Sequence, residues 1–314
     1  MSRIYFNEVV TRDGFQMEPA FVPTDSKVAL INALSQCGYA KIEVTSFTSA
    51  KAIPMLRDAE EVMGRIQRIP NVEYTVLVPN VRGAERALDV KPDEFNLVMS
   101  TSETHNLSNL RMPRENSFSG LREVIQKFGA LVPINVSLSA CFGCPMEGDV
   151  AQQEVMKWSQ RFADLGVRGL TICDTTGMAQ PAQVAAMCEN LQKHFPDLQL
   201  TLHFNNTRGM GLANVLASVQ TGITRFDGSL GGLGGCPYAP GASGNVCTEE
   251  VVHALELMGF ASGVDLKALL AVAHRLPGLI GHEVPSQLVK AGQRLDLHPL
   301  PPGFEDIKAR ALSR

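Results

Sequence analysis

The chain has 314 residues, 45% of them hydrophobic and 19% charged, with a formal net charge of −4. Both signs are mixed along the chain with no basic block, which argues against nucleic acid or an anionic membrane surface as a partner. An anionic substrate must therefore be held by a local cluster. No apolar window approaches the ~20 residues of a bilayer span, and no basic start leads into an apolar run, so the cytosol is the expected location and no membrane partner is expected. The seven cysteines are odd in number and scattered, so a disulfide framework is not expected. Cys141 and Cys144 are the only close pair. Without a second pair or a thioredoxin context, they point to neither zinc nor redox chemistry.

Taken in chain order, strand-length apolar runs alternate with helix-period segments. The predicted strands are Ile4–Val10, Lys41–Thr45, Glu73–Val78, Glu94–Met99, Pro133–Ser139, Gly169–Asp174, Gln199–Phe204 and Thr224–Ser229. Several read as near-continuous apolar or β-branched runs, the pattern of parallel strands covered by helices. Between them, Thr24-Asp25-Ser26 leads into Lys27–Cys37, Asp149 precedes Ala151–Leu165, Pro181 opens Ala182–Lys193, and Thr248-Glu249-Glu250 starts a helix through Leu257. Residues 100–115, with His105, Asn106 and Asn109, read as a longer loop. Eight strand–helix repeats in about 260 residues fit a (β/α)8 TIM barrel. A doubly wound open sheet is the alternative, but it would carry a glycine-rich turn after its first strand, not its last. Helical segments at Asp265–Arg275 and Ser286–Leu295 and a proline-rich tail at 299–303 follow. The expected organisation is a catalytic barrel over residues 1–280 and a C-terminal helical extension over 281–314 packed on it.

A barrel gathers its chemistry at the C-terminal ends of its strands. Those ends carry Arg12, Asp13 and Gln16 after the first strand, Glu43 and Ser46 on the second, Asp174 and Thr175 on the sixth, and His203, Asn205 and Arg208 on the seventh. After the eighth comes a glycine-dense stretch, residues 229–245, holding Cys236 and Asn245. Its leucines, tyrosine and prolines mark a shaped loop, not a linker, and no Gly-Lys-Ser/Thr follows as a phosphate loop would require. Residues i and i+2 of a strand share a face, so His203 and Asn205 can aim at one point, and Asp13 reaches it because strands one and eight close the barrel. A carboxylate, an imidazole nitrogen and amide oxygens together make a divalent-cation site.

Five segments carry a resemblance: Asn7-Glu-Val-Val-Thr-Arg-Asp-Gly-Phe-Gln-Met-Glu18, Ile42-Glu-Val-Thr-Ser-Phe47, Gly143-Cys-Pro-Met-Glu-Gly148, Asp174-Thr-Thr-Gly177, and Gly231-Gly-Leu-Gly-Gly-Cys-Pro-Tyr238 with Gly241-Ala-Ser-Gly-Asn245. The chain resembles the 3-hydroxy-3-methylglutaryl-CoA lyase family, within the metal-dependent TIM-barrel lyases and acyl-CoA condensing enzymes, from about residue 4 to 275. The resemblance implies cleavage of a 3-hydroxyacyl-CoA to acetyl-CoA and a keto acid, with Mg2+ or Mn2+ as cofactor. It implies Asp13, His203, Asn205 and Asn245 as metal ligands and Arg12 against the thioester oxygen. Glu43 would belong to the proton-transfer and metal-orienting network, and Cys236 would be the acid or base near the enolate carbon. Gln16, Ser46, Asp174, Thr175 and Arg208 fall among the implied substrate contacts. The residue that takes the hydroxyl proton stays open. A condensing synthase or hydroxy-oxoacid aldolase on the same scaffold, or a barrel that only binds acyl-CoA, are the alternatives. A homodimer is expected, since helices outside a barrel commonly pack in pairs.

The sequence departs from the family pattern where His-x-His is usual on strand seven: the second position is Asn205. An amide oxygen can ligate a hard cation and leaves the charge of the site unchanged, but it is a poorer donor to transition metals, so the expected tilt is toward Mg2+. A damaged metal site is the other reading. Asn206 stands for an aspartate, Pro19 for a family lysine and Ser137 for an aromatic. Arg208 is read either as a carboxylate or CoA-phosphate partner or as a surface arginine.

Overall fold

The computed structural model describes residues 2–235 and 244–313. Eight strands, β1 (Tyr5–Glu8), β2 (Lys41–Ser46), β3 (Glu73–Leu77), β4 (Glu94–Ser100), β5 (Ile134–Ser139), β6 (Gly169–Asp174), β7 (Gln199–Phe204) and β8 (Arg225–Gly228), close in sequence order into a parallel barrel. Closure is made by β1 against β8, with Asn7 opposite Asp227, and helices follow the strands as in a (β/α)8 barrel.

The expected near-continuous apolar runs turn out to alternate. Ile42 and Val44, Phe95 and Leu97, Val136 and Leu138, and Leu170 and Ile172 belong to the buried hydrophobic core. Their neighbours Glu43, Asn96, Asn135, Ser137 and Thr171 are also buried, but bond to one another across the strands. The two-residue period of a strand explains this, because alternate residues face the helices and the barrel interior. The interior is thus a polar column.

At the N-terminal end of the strands that column is plugged by ions. Arg168 forks onto Glu73 at 2.9 and 2.6 Å and also pairs with Glu94, which pairs in turn with Lys41. Arg225 lies over the Tyr5 ring, 4.7 Å from its centroid. Each buried charge there has an opposite charge or an aromatic face beside it, the condition under which burying it is tolerable.

Two stretches differ from expectation. Residues 100–115 are not a loop: they hold the helix Glu103–Leu110 and the start of a second, Arg114–Phe128. The Ser102 hydroxyl caps the first by accepting from the His105 N–H at 3.1 Å. Asn106 fastens the pair, accepting from the Ser100 N–H at 2.9 Å and donating to Met112 O and Ser117 Oγ, both at 2.8 Å. The inward face here is held by hydrogen bonds, so no apolar period announces it. In the C-terminal region, Ser286–Leu295 shortens to the helix Gln287–Ala291, and a helix at Phe304–Leu312 with no buried residue follows the prolines. No helix among the described residues is long and apolar enough to cross a membrane.

Candidate active site

The chain leaves β1 in a single π-helical turn, Val10–Gly14, which carries Arg12 and Asp13. A buried carboxylate sets its position. Glu8 Oε1 accepts from the N–H groups of Val10 and Leu230, both at 2.9 Å, while Oε2 receives the Tyr39 hydroxyl at 2.5 Å and the Thr248 hydroxyl at 3.0 Å. Leu230 and Thr248 flank the glycine-dense loop, so one side chain ties the Arg12–Asp13 turn to both ends of that loop. Burial pushes the Glu8 carboxyl up to about 7 despite these four partners.

Arg12 is held on two sides. Its Nε donates to Glu43 Oε2 at 2.6 Å and a terminal nitrogen to Asp13 Oδ1 at 2.7 Å. Asn96 Nδ2 donates to the other Glu43 oxygen at 2.7 Å, and Asn96 Oδ1 in turn accepts from Asn135 Nδ2 at 3.0 Å and Ser137 Oγ at 2.9 Å. The Asn96 amide therefore has only one usable orientation, and Glu43 is clamped from both sides. Burial raises the Glu43 carboxyl, more than Arg12 and Asn96 lower it. Burial also works against ionisation of Asp13, but Arg12, His203 and Asn245 together hold it below its ordinary value.

His203, one residue before the end of β7, has Nδ1 3.2 Å from Asp227 Oδ2, and Asn7 Nδ2 donates to Asp227 Oδ1 at 2.9 Å. Burial lowers the imidazole pKa, but the Asp227 hydrogen bond and charge and the nearby Asp13 raise it on balance. Asn245 Nδ2 donates to Asp13 Oδ2 at 2.7 Å and to Leu233 O at 3.0 Å. Asn205 and Asn245 face each other in a backbone bridge. The Oδ1 atoms of both are buried without a hydrogen-bond partner. Gly234, at φ +104°, leaves room for this cluster: a Cβ there would lie 2.6 Å from Asn245 Nδ2 and 3.1 Å from Asp13 Oδ2.

This arrangement has the donors a hard divalent cation uses: the Asp13 carboxylate, two amide oxygens lacking donors, and an imidazole. Among the described residues no three His, Cys, Asp or Glu side chains are grouped to hold a metal, so amide oxygens must complete any such site. The Arg12 guanidinium stands among three carboxylates, those of Asp13, Glu43 and Asp227, and a cation would offset the excess negative charge.

The remaining sequence-predicted residues divide. Asp174 Oδ1 accepts from Met178 N at 2.7 Å and Ala179 N at 3.1 Å, whereas its Oδ2 is buried and unpartnered, and burial pushes the carboxyl up to about 6. Thr175 accepts from the Ala140 N–H at 2.9 Å, Ser46 bonds Thr48 at 2.8 Å, and Gln16 sits half-buried just past the π-turn. Arg208 donates to the carbonyls of Thr176 and Gly177 at 2.9 and 3.0 Å, bracing the turn after β6. Cys236 lies outside the described residues. The sequence reading missed Glu8, Asn96 and Asp227; period-two alternation on their strands was the available signal, and it was masked by the expectation of apolar runs.

Residues 3–276 match the family model described as HMGL-like. The chain is 44% identical over 288 residues to the hydroxymethylglutaryl-CoA lyase YngG of Bacillus subtilis, covering 91% of this chain and 96% of that one. It is 35% identical to the (R)-citramalyl-CoA lyase of Chloroflexus aurantiacus, over 93% of this chain and 96% of the other. Its fold is similar to an HMG-CoA lyase from Acinetobacter baumannii solved with coenzyme A and 3-methylmalate, with a TM-score of 0.92 and 48% identity over 95% of this chain and 98% of that one. The family match and the barrel agree along almost the whole chain, and the chain belongs to the HMGL-like family of carbon–carbon lyases.

Proposed function

We propose that the protein cleaves 3-hydroxy-3-methylglutaryl-CoA, or a related branched 3-hydroxyacyl-CoA, to acetyl-CoA and a keto acid, acetoacetate in the first case. The reaction is a retro-Claisen cleavage. The hydroxyl proton leaves, its oxygen becomes the keto carbonyl, and the carbon–carbon bond breaks. The electron pair passes to the thioester, giving the acetyl-CoA enolate, which is then protonated on carbon. The observation that carries this reading is the doubly anchored Arg12, whose guanidinium is fixed by Glu43 and Asp13 within the same cluster as the partnerless Asn205 and Asn245 oxygens. A fixed cation beside the thioester oxygen stabilises the enolate without reorganising during the reaction.

Asp13, His203, Asn205 and Asn245 would hold a divalent cation, Mg2+ in preference to Mn2+ because three of the four donors are oxygens. When bound it supplies Lewis acidity at the substrate oxygens and makes the hydroxyl more acidic. Glu43 keeps Arg12 in place through the short hydrogen bond and is itself held by Asn96. Asp174, with one buried free oxygen, and Ser46, Thr175 and Gln16 would contact substrate, and Cys236 would serve proton transfer at the enolate carbon. Arg208 fits the bracing role better than a phosphate contact, since it already serves two carbonyls.

The test is to incubate purified protein with 3-hydroxy-3-methylglutaryl-CoA and related branched 3-hydroxyacyl-CoAs, with Mg2+ or Mn2+, and assay acetyl-CoA. Absence of turnover with all of them overturns the reading. Cys236→Ala should lower kcat far more than cation affinity, whereas Asn245→Ala should harm both.

A further inference from the structure

Asn7, Asp227 and His203 stand abreast on three neighbouring strands, Asn7 opposite Asp227 across β1 and β8 and His203 opposite Asp227 across β7 and β8. All three side chains point into the barrel and meet. Asp227 spends one oxygen on the Asn7 amide at 2.9 Å and the other on His203 Nδ1 at 3.2 Å. An ionised carboxylate only accepts, so the ring nitrogen facing it must carry the proton. In the neutral ring the second nitrogen, Nε2, is then left with its lone pair. A histidine binds a cation only through an unprotonated nitrogen, and its partner on the other nitrogen decides which one that is.

We propose that Asp227 is a positioning residue: aligned by Asn7, it locks His203 in the Nδ1-protonated tautomer and thereby sets the affinity of the Asp13–His203–Asn205–Asn245 cluster for a divalent cation. This rests on the cation reading of that cluster given above. Asp227 acts through His203 and takes no part in the bond changes.

In Asp227→Asn the new amide keeps its oxygen toward Asn7 and turns its nitrogen toward His203, so Nδ1 must accept and the proton moves to Nε2. Because Asn7 could turn over along with the new amide, Asp227→Leu is measured beside it. Two readouts apply. Binding of Mn2+ alone, followed by electron paramagnetic resonance, should weaken at least tenfold in Asp227→Leu, and in Asp227→Asn as well unless Asn7 turns over, with the melting temperatures of the variants kept within a few degrees of the wild type. In metal-free wild-type protein, at a pH where the ring is neutral, nitrogen-15 spectra should show the His203 proton on Nδ1. A wild-type His203 with its proton on Nε2, or Mn2+ affinity within threefold of wild type in both variants, overturns the proposal. Failure of the wild type to bind Mn2+ would instead sink the cation reading, and the tautomer spectrum would still test Asp227. If both variants fail to fold, that wild-type spectrum decides alone.

Discussion

The two ends of the barrel interior are built from the same polar strand positions, yet they are resolved differently. At the N-terminal end, Lys41, Arg168 and Arg225 sit among Glu73 and Glu94, and the charges are close to balanced. At the C-terminal end, Arg12 is outnumbered by carboxylates, and Asp174 Oδ2, Asn205 Oδ1 and Asn245 Oδ1 are buried with no donor. Leaving such acceptors unmatched costs about 1–3 kcal/mol each. A balanced ion layer closes the barrel, whereas an unbalanced, acceptor-rich one is prepared for something that brings positive charge and donors. Polarity inside the fold therefore says little about function until one asks whether its charges are balanced.

The largest expected effect breaks the quiet end. Glu94→Gln removes the carboxylate shared by Lys41 and Arg168 and should destabilise the fold by about 3–5 kcal/mol, read by urea unfolding, with kcat of the folded fraction nearly unchanged. An equal loss of kcat at full stability would show that the lower layer takes part in the chemistry. At the other end the pattern should invert. Arg12→Met should lower kcat by about 100- to 1,000-fold in the acetyl-CoA assay, with a much smaller change in melting temperature.

A third experiment uses the buried carboxylate that ties the Arg12–Asp13 turn to the loop after β8. Glu8 rises in the folded protein to about 7 from 4.5. Between those values the folded state holds a proton that the unfolded chain has released, so stability should fall as pH rises from about 4.5 to 7. The slope for one such group is at most roughly 1.4 kcal/mol per pH unit. Glu249, also pushed to about 7 by burial, contributes in the same sense. Glu8→Gln should reduce the slope without abolishing it. It should also keep kcat, because the amide oxygen can still accept from Val10 and Leu230 while the Tyr39 and Thr248 hydroxyls turn to accept. An unchanged slope would mean that Glu8 does not titrate in this range. The smallest effect is expected from Ser137→Ala, which removes one of two donors to Asn96 and should cost about 1 kcal/mol of stability, with kcat lowered no more than severalfold.

Much of the site could be read locally. His203 and Asn205 share a strand face by the two-residue period, and Asp13 lies one residue after Arg12 in a turn that any strand-to-loop reading puts at the barrel mouth. The bond from Asn245 to Asp13 follows from closure of β1 against β8, which brings the loop after the last strand to the turn after the first. What escaped was polar residues whose partners are distant in sequence. Asn106 looks like a loop residue until Met112 and Ser117 are seen to satisfy it. Asp227 looks like an ordinary strand-end acid until register sets it between Asn7 and His203.

The order of the strands, the clustering of chemistry at strand ends and the family were determined by the sequence alone, because periodicity and motifs are local properties of the chain. Tertiary structure alone decided which buried acids are neutralised and which are not. That depends on strand register and on closure of β1 against β8, which bring together residues more than 200 positions apart, such as Glu8 with Leu230 and Asp13 with Asn245. Local sequence cannot encode such a pairing, since the energy of a buried polar group is fixed by whatever partner the closed barrel brings to it.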